Sequence, residues 1–322
     1  EWLYLRDGRE INPAESLVEL AAVGDVMLGR TVTANSQTLS RVTDWLQSAD
    51  LAFGNLEGVL SPPGRDPATL SKNSPGQPYR LVMSRQVPSL LRQAGFDLLS
   101  LANNHTLDLG GQALQDTLES LGAAGLQAVG WQQTPAAATE PYILTASGLR
   151  VAFLAYSQIS PAVPDPSGPQ PARYTIQAAA DLAHARQQAD FVIVSMHWGI
   201  EYQTTVDPAQ RRTAQELLAA GADLVIGHHP HVVQGSELFQ LDLDGAPRTG
   251  FVAYSLGNFV FDQFKGETST GLALRIYLDR DGLRAVQALP LRATTRPDWL
   301  PPEAASKIFP RVHPPAQRLA FI

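Results

Sequence analysis

Gly227-His228-His229-Pro230-His231 follows directly on Ala222-Asp223-Leu224-Val225-Ile226, a run that is apolar except for Asp223. A short β-branched run ending in Gly reads as a buried strand that leads into a loop. Pro230 cannot extend a helix, so the three imidazoles are expected on that loop, at the strand's end. The chain has seven His, and a stretch that gathers three of them calls for a reason. Imidazole is the commonest ligand for borderline divalent metals, and His229-x-His231 can offer two of them to one ion. A polar surface turn is the plainer alternative.

Four other apolar runs end in residues able to bind a metal or move a proton. Leu17 to Val23 ends in Gly24-Asp25, and Leu51-Ala52-Phe53 ends in Gly54-Asn55-Leu56-Glu57. Phe96 to Leu101 ends in Ala102-Asn103-Asn104-His105, and Phe191 to Met196 ends in His197-Trp198-Gly199. Ligands of open α/β sheets gather beyond the carboxyl ends of the strands, where loops converge on one crevice. Strands delivering Asp, Asn/Glu, Asn-His, His and His-x-His to a single rim would build a metal centre. Oxygen and nitrogen donors without sulfur suit one or two divalent ions of Mn, Fe or Zn.

Composition narrows the class. With 44% apolar and 17% charged residues, 322 in all, the chain can bury a substantial core and is not disordered. A net charge of −7 without a basic stripe argues against nucleic acid as a partner. The absence of Cys removes thiolate zinc sites, Cys nucleophiles and disulfides. No apolar run reaches the roughly 18–20 residues that span a bilayer. The chain opens at Glu1-Trp2-Leu3 without an initiator Met, so a processed form with a targeting segment outside this sequence is expected.

Helical spacing of apolar residues recurs at Ser40 to Ala49, Ser84 to Ala94, Gly111 to Ala124, Ala178 to Ala189 and Asp207 to Ala220, each followed by a strand-like run. This is the rhythm of a layered α/β domain. In the last third, Val232 to Leu243, Thr249 to Leu256, Gly271 to Leu278 and Leu283 to Pro290 read as successive strands. Asp244-Gly245 and Asp281-Gly282 supply hairpin turns. An α/β half followed by an antiparallel β half suggests two sheets packed face to face with helices outside, in one domain over 1–322. The core runs from about 17 to 290, and the Pro-rich segment 291–322, with one short helix at Pro302 to Phe309, is expected to pack back on the body. Two long loops, Ser61 to Tyr79 and Ser157 to Tyr174, each hold five Pro and are candidates for shaping a site.

Individual residues carry individual expectations. Asp25 is a carboxylate ligand, or else an ordinary turn residue. Glu57, two residues beyond Asn55, reaches the rim if the chain stays extended. His105 followed by Asp108 suggests a His–carboxylate pair that fixes the tautomer and raises the His pKa. His197 closes its strand, and Trp198 beside it is expected to wall the pocket. No Gly-x-Ser-x-Gly, P-loop or GxGxxG occurs. His184 and His313 stand outside every motif and are read as surface residues.

Six ordered blocks carry a resemblance. Gly24-Asp25, Gly54-Asn55-Leu56-Glu57, Asn103-Asn104-His105, His197-Trp198-Gly199, Gly227-His228-His229-Pro230-His231 and Ser255-Leu256-Gly257-Asn258-Phe259 look like the CapA/PgsA family of bacterial capsule and poly-γ-glutamate synthesis proteins. That family is in turn similar to the calcineurin-like metallophosphoesterases. The resemblance implies an α/β fold, the four-layer α/β/β/α sandwich of the metallophosphoesterase type, with a two-metal site. It implies Asp25 as the first-strand aspartate, Glu57 near the usual bridging carboxylate, Asn104 as the asparagine ligand and His105 as general acid. His197, His229 and His231 would be the remaining ligands. Two departures stand out. The usual Asp-x-His is Asp25-Val26-Met27 here, and Gly54 is followed by Asn55 instead of Asp. Asn55 or Glu57 then substitutes, and His228 is an extra imidazole available for the missing one. Asn55, Trp198 and Asn258 are the candidate substrate contacts.

The resemblance also implies a cell-envelope role. A metal-dependent hydrolase or transferase would act on a phosphoester or an anionic polymer such as poly-γ-glutamate, outside the cytoplasm and held to the membrane by an N-terminal segment. Other membrane proteins of capsule synthesis would be its partners. The alternative is a non-catalytic accessory that binds the polymer. Amide hydrolysis is a third reading, because activated water attacks carbonyl and phosphorus centres alike.

Overall fold

The computed structural model describes residues 1–313 except 13, 73–75, 77, 135–138, 163, 166–167 and 244–245, and gives the backbone alone at 241–243 and 246. The Asp244-Gly245 turn, parts of both Pro-rich loops and the end of the tail thus lie outside the described residues.

In chain order the principal strands are β1 (Trp2–Leu5), β2 (Val18–Val26), β3 (Leu51–Leu56), β4 (Leu98–Ser100), β5 (Gln127–Val129), β6 (Tyr142–Ala146) and β7 (Leu149–Ser157). They continue with β8 (Phe191–His197), β9 (Leu224–His228), β10 (Ser236–Leu243), β11 (Ala246–Ala253), β12 (Asn258–Val260), β13 (Thr270–Asp279) and β14 (Gly282–Arg292). The main helices are α1 (Thr43–Gln47), α2 (Val87–Ala94), α3 (Gly111–Ala123), α4 (Gln177–Gln188) and α5 (Pro208–Ala219). Local chemistry sets their limits. Asp207 and Gln210 form a reciprocal capping box ahead of Pro208 at the start of α5. Gly95, at φ 104°, stops α2 where a left-handed residue is needed.

Among the described residues one sheet has nine strands, in the order β1-β14-β13-β2-β3-β4-β5, with β12 beside β2 and a short strand, Asp298–Trp299, beside β14. The other has six, in the order β10-β11-β9-β8-β7-β6. Alternate residues of a strand face opposite ways, and the apolar side chains sort accordingly. Ala21, Val23 and Leu56 pack outward with Leu46, Leu91 and Leu114 of the first helices. Leu20, Phe53, Val151, Ile193 and Ile226 share the space between the sheets. Val192, Val194 and Val225 pack outward against Leu182 and Leu217 of α4 and α5. Helices, sheet, sheet and helices follow in that order.

The last third departs from expectation. Its strands do not form an antiparallel half of their own. The β10–β11 hairpin extends the six-stranded sheet, where β11 runs parallel to β9, whereas β13 and β14 extend the nine-stranded one. Each sheet therefore mixes a parallel centre with an antiparallel edge, because the chain crosses between sheets after β11. The β13–β14 turn forms as expected, with Asp279 paired to Gly282. The tail holds two short helices, Pro302–Ala305 and Phe309–Val312, in place of one. Val312 is buried in the core between the sheets, and its carbonyl accepts from Ser236 Oγ at 2.5 Å.

Candidate metal centre

Parallel register brings the polar strand ends level. Asp25 pairs with Asn55, and Asn258 pairs with Asp25 from the other side. In the second sheet His197 pairs with His228. Glycines let the segment that crosses between the sheets touch both rims: a Cβ on Gly24 would lie 1.9 Å from the Gly257 carbonyl oxygen, and one on Gly227 1.9 Å from that of Tyr254.

Asp25 is fully buried at the centre. Its Oδ1 accepts from Asn55 Nδ2 at 2.8 Å and lies 3.3 Å from His228 Nδ1. Its Oδ2 lies 3.3 Å from His231 Nδ1 and accepts from the His229 amide at 3.4 Å. Burial by itself would raise the Asp25 pKa, but His228 and His231 hold it well below the usual carboxylate range. His197 donates from Nε2 to Asn104 Oδ1 at 2.7 Å, which turns its Nδ1 lone pair toward Asn55 Nδ2 at 3.5 Å. His231 donates from Nδ1 to Asn258 Oδ1 at 2.9 Å, leaving Nε2 3.6 Å from Glu57 Oε1. Each ring is thus oriented by a side-chain oxygen on one nitrogen while the other faces the carboxylates, as in metal sites generally.

Glu57 gives the sharpest test of fit. It is fully buried, yet among the described residues neither carboxylate oxygen has a hydrogen-bond partner. His229 Nδ1 is likewise buried and unpartnered. An unsatisfied buried carboxylate costs several kcal/mol, so such atoms call for a proton or a cation. Burial pushes the Glu57 carboxyl up to about 8. It also opposes the charge on His231, but Glu57 and Asp25 outweigh it and raise that imidazole to about 10. Burial, then the proximity of His231, takes His229 down to about 3, and burial keeps His197 well below its usual value. The ligand atoms of Asp25, Glu57 and His197 all lie within 4.8 Å of one another, and so do those of Glu201, His229 and His231. This oxygen and nitrogen donor set fits divalent cations.

A cleft of about 410 Å³ opens over the cluster, lined by His105 and His231 together with Arg30, Tyr79, Tyr202 and Phe261. Pro78 and Tyr79 of the first Pro-rich loop and Ala162 of the second also line it, so both loops do shape it. His105 Nδ1 is 2.9 Å from Asp108 Oδ2, which also accepts from the Leu81 amide. Burial disfavours the charge on His105, yet the hydrogen bond and charge of Asp108 raise its pKa. His229 and His231 both take positive φ, 95° and 57°, an uncommon conformation for non-glycine residues that aims them back over Asp25.

Trp198 does not wall the cleft: it follows His197 in sequence and so faces the other way, fully buried against Tyr254 with Nε1 donating to the Tyr254 carbonyl. Asn55 and Asn258 are also fully buried. Asn55 spends its amide on Asp25 and its oxygen on Asn103, and Asn258 bridges His231 and the Thr268 carbonyl, so both hold Asp25 and His231 in place. His228 lies with Nδ1 3.3 Å from Asp25 Oδ1 and its ring T-shaped to Phe53, and belongs to neither three-residue group. The Asn104 oxygen is engaged by His197. Glu201 and Arg30 escaped the sequence reading. Glu201 stands four residues past His197, on the loop that follows β8, and that position was its one available signal.

Residues 19–263 match the family described as bacterial capsule synthesis protein PGA_cap. The chain belongs to this family. A capsule biosynthesis protein CapA of Bacillus anthracis is 29% identical over 286 residues, covering 84% of this chain and 66% of that protein. This chain thus spans just under two thirds of the relative's length. A probable polyglutamine synthesis accessory protein of Mycobacterium tuberculosis is 30% identical over 217 residues, covering 61% of this chain and 55% of that one. A putative 5'-nucleotidase of Staphylococcus aureus superposes with a TM-score of 0.53 at 14% identity, covering 88% of this chain and 54% of the other. A hypothetical protein of Thermus thermophilus gives 0.52 at 16% identity, covering 85% of this chain and 99% of the other. The chain's α/β fold is therefore like that of these two structures. Among the described residues no helix is long and apolar enough to cross a membrane.

Proposed function

We propose that this family member is a metal-dependent hydrolase of the cell envelope, acting outside the cytoplasm on a phosphoester or an anionic polymer of capsule synthesis. The observation that carries this reading is the buried Glu57 carboxylate, without a hydrogen-bond partner among the described residues, beside the ligand atoms of Asp25 and His197. Asp25, Glu57 and His197 would hold a cation of Mn, Fe or Zn. Such an ion, when bound, supplies charge stabilisation at an anionic oxygen and makes water more acidic. The protein's own residues do the rest. Asp108 fixes Nδ1 of His105, so Nε2 is the nitrogen that delivers a proton to the leaving oxygen. Arg30, paired with Asp262 at 3.0 Å on the cleft wall, orients an anionic substrate.

A second reading, a non-catalytic accessory that binds the polymer, is favoured by one observation: Asn55 points an amide donor at Asp25, where a carboxylate would add ligand charge. The test is to measure divalent metal in protein purified without additions, then turnover of a chromogenic phosphodiester with Mn²⁺. Metal retention, with turnover that falls about 10²–10⁴-fold in His105→Gln, is expected. Protein that neither retains nor turns over with any divalent ion would overturn the hydrolase reading and leave the accessory.

A further inference from the structure

Four arginines, Arg150, Arg186, Arg248 and Arg280, line a groove of about 660 Å³ at the end of the molecule away from the metal centre. β8 spans the separation, from Phe191 in the groove to His197 at the other rim, about 20 Å at roughly 3.3 Å per residue. The groove draws on both sheets. Arg150 stands on β7, Arg248 on β11, Arg280 in the β13–β14 turn and Arg186 in the last turn of α4. Scattered along the chain, they form no basic run in the sequence, and only the fold gathers them.

Part of this charge is structural. Buried Asp223 accepts from Arg186 Nη2 at 2.6 Å and from Arg248 Nη1 at 3.3 Å, so one carboxylate serves two guanidinium groups. Arg150 pairs with Asp190 at 3.1 Å, and Arg6 pairs with Asp279. The rest is unspent. Arg280 has no hydrogen bond or ion pair among the described residues, and its Nη2 lies by the β6–β7 turn, where a Cβ on Gly148 would be 3.5 Å away. Arg186 Nε is buried without a partner among the described residues. Among those residues Arg150 uses only Nε and Nη2, and Arg248 only Nη1, so both keep donors to spare. Five guanidinium groups thus face three carboxylates, or four with Asp281 at the rim, in a chain whose net charge is −7.

We infer that this groove binds a flexible polycarboxylate chain, at a site separate from the metal centre. The inference rests on the anionic-polymer side of the reading above and gives that polymer a further place of contact. An exposed ion pair holds a single carboxylate weakly, but linked carboxylates that meet separate arginines add through effective concentration. The cations sit on separate elements, which suits a chain better than one compact anion. The basic groups of the lining are all Arg, whose planar fork takes a carboxylate with two hydrogen bonds. Single-stranded nucleic acid is disfavoured, because the aromatic ring of the lining, Phe191, is 3% exposed and offers no stacking face.

The test uses the whole chain in chelator, so that no bound metal takes part, and follows binding of fluorescent poly-glutamate by anisotropy. Wild type should bind, with affinity that falls steeply as salt rises. Arg150→Gln combined with Arg280→Gln should weaken binding by at least about tenfold, and Arg280→Glu should cost more than Arg280→Gln. Arg212→Gln, at an exposed position of α5 outside the groove, removes the same charge and should leave affinity within about twofold. Arg280 makes no bond in the described fold, so its variants stay informative whatever Arg150 contributes to stability. Unchanged affinity in the Arg280 variants, an equal loss in Arg212→Gln, tighter binding of polyphosphate than of poly-glutamate, or no binding in wild type would overturn the inference. Mn²⁺ uptake and phosphodiester turnover of wild type are measured separately, so the metal-dependent reading stands or fails on its own.

Discussion

Asn55 donates its side-chain amide to Asp25 Oδ1 at 2.8 Å, across register-paired positions of adjacent parallel strands, with both residues fully buried. A carboxylate at position 55 would set two acids in contact. Asn55→Asp should therefore be less stable than wild type in chelator, by about 2–4 kcal/mol. It should also gain more melting temperature than wild type on adding Mn²⁺, because the added charge becomes a ligand. Equal melting temperatures in chelator would show that the amide bridge does not govern this contact.

Metal uptake should be coupled to proton loss. At neutral pH the metal-free site holds protons that Glu57, at about 8, and His231, at about 10, would otherwise have released. A cation competes with them, so apparent Mn²⁺ affinity should rise with pH, by up to roughly tenfold per unit for each proton displaced. Chelator competition at about pH 6.5 and about pH 8.5 reads this out. A flat affinity would refute it.

The same shifts bear on stability. Both groups bind protons more tightly folded than unfolded, so their contribution is complete below the unfolded pKa values. It is lost as pH rises through about 8 for Glu57 and about 10 for His231. Above neutrality His197 and His229, whose pKa values are lowered, are uncharged in either state. Denaturant melts from neutral pH upward should show the chelated protein weakening, and the Mn²⁺-loaded protein weakening less.

His105→Gln should cost about 10²–10⁴-fold in kcat if Nε2 delivers the proton, with Mn²⁺ stoichiometry unchanged. Asp108→Asn should move the alkaline limb of the rate profile to lower pH. Asp108 raises the His105 pKa, activity belongs to the protonated form, and removing the charge makes that form give way sooner. A limb that stays in place would dissociate Asp108 from this role.

Trp198→Phe should lower stability by about 1–2 kcal/mol, through the lost bond to the Tyr254 carbonyl and some packing, and leave KM unchanged. A change in KM without a change in stability would return Trp198 to the cleft wall.

Strand ends were readable without coordinates because β-branched runs that stop at Gly-Asp, Gly-Asn, Asn-Asn-His or Gly-His-His announce both the element and its polar tip. Asp25, Glu57, His105, Asp108, His197, His229 and His231 were all visible in that way. Glu201 and Arg30 lie on loops with no periodic pattern, and only contact with other segments gives them a place. Trp198 shows the opposite case: the two-residue alternation of β8 already set it opposite His197, a rule that adjacency to a motif had obscured.

Local sequence by itself determined the α/β class, the polar tips of the strands and the His105–Asp108 pair, since each depends on residues close in the chain. The tertiary structure alone decided that the two C-terminal hairpins part company between sheets. It alone decided that Asn55 holds Asp25 and Asn258 holds His231, and that Glu201 meets His229 and His231. Those outcomes depend on register between strands remote in sequence and on which oxygen fills which imidazole's hydrogen bond. No pattern along one segment encodes either.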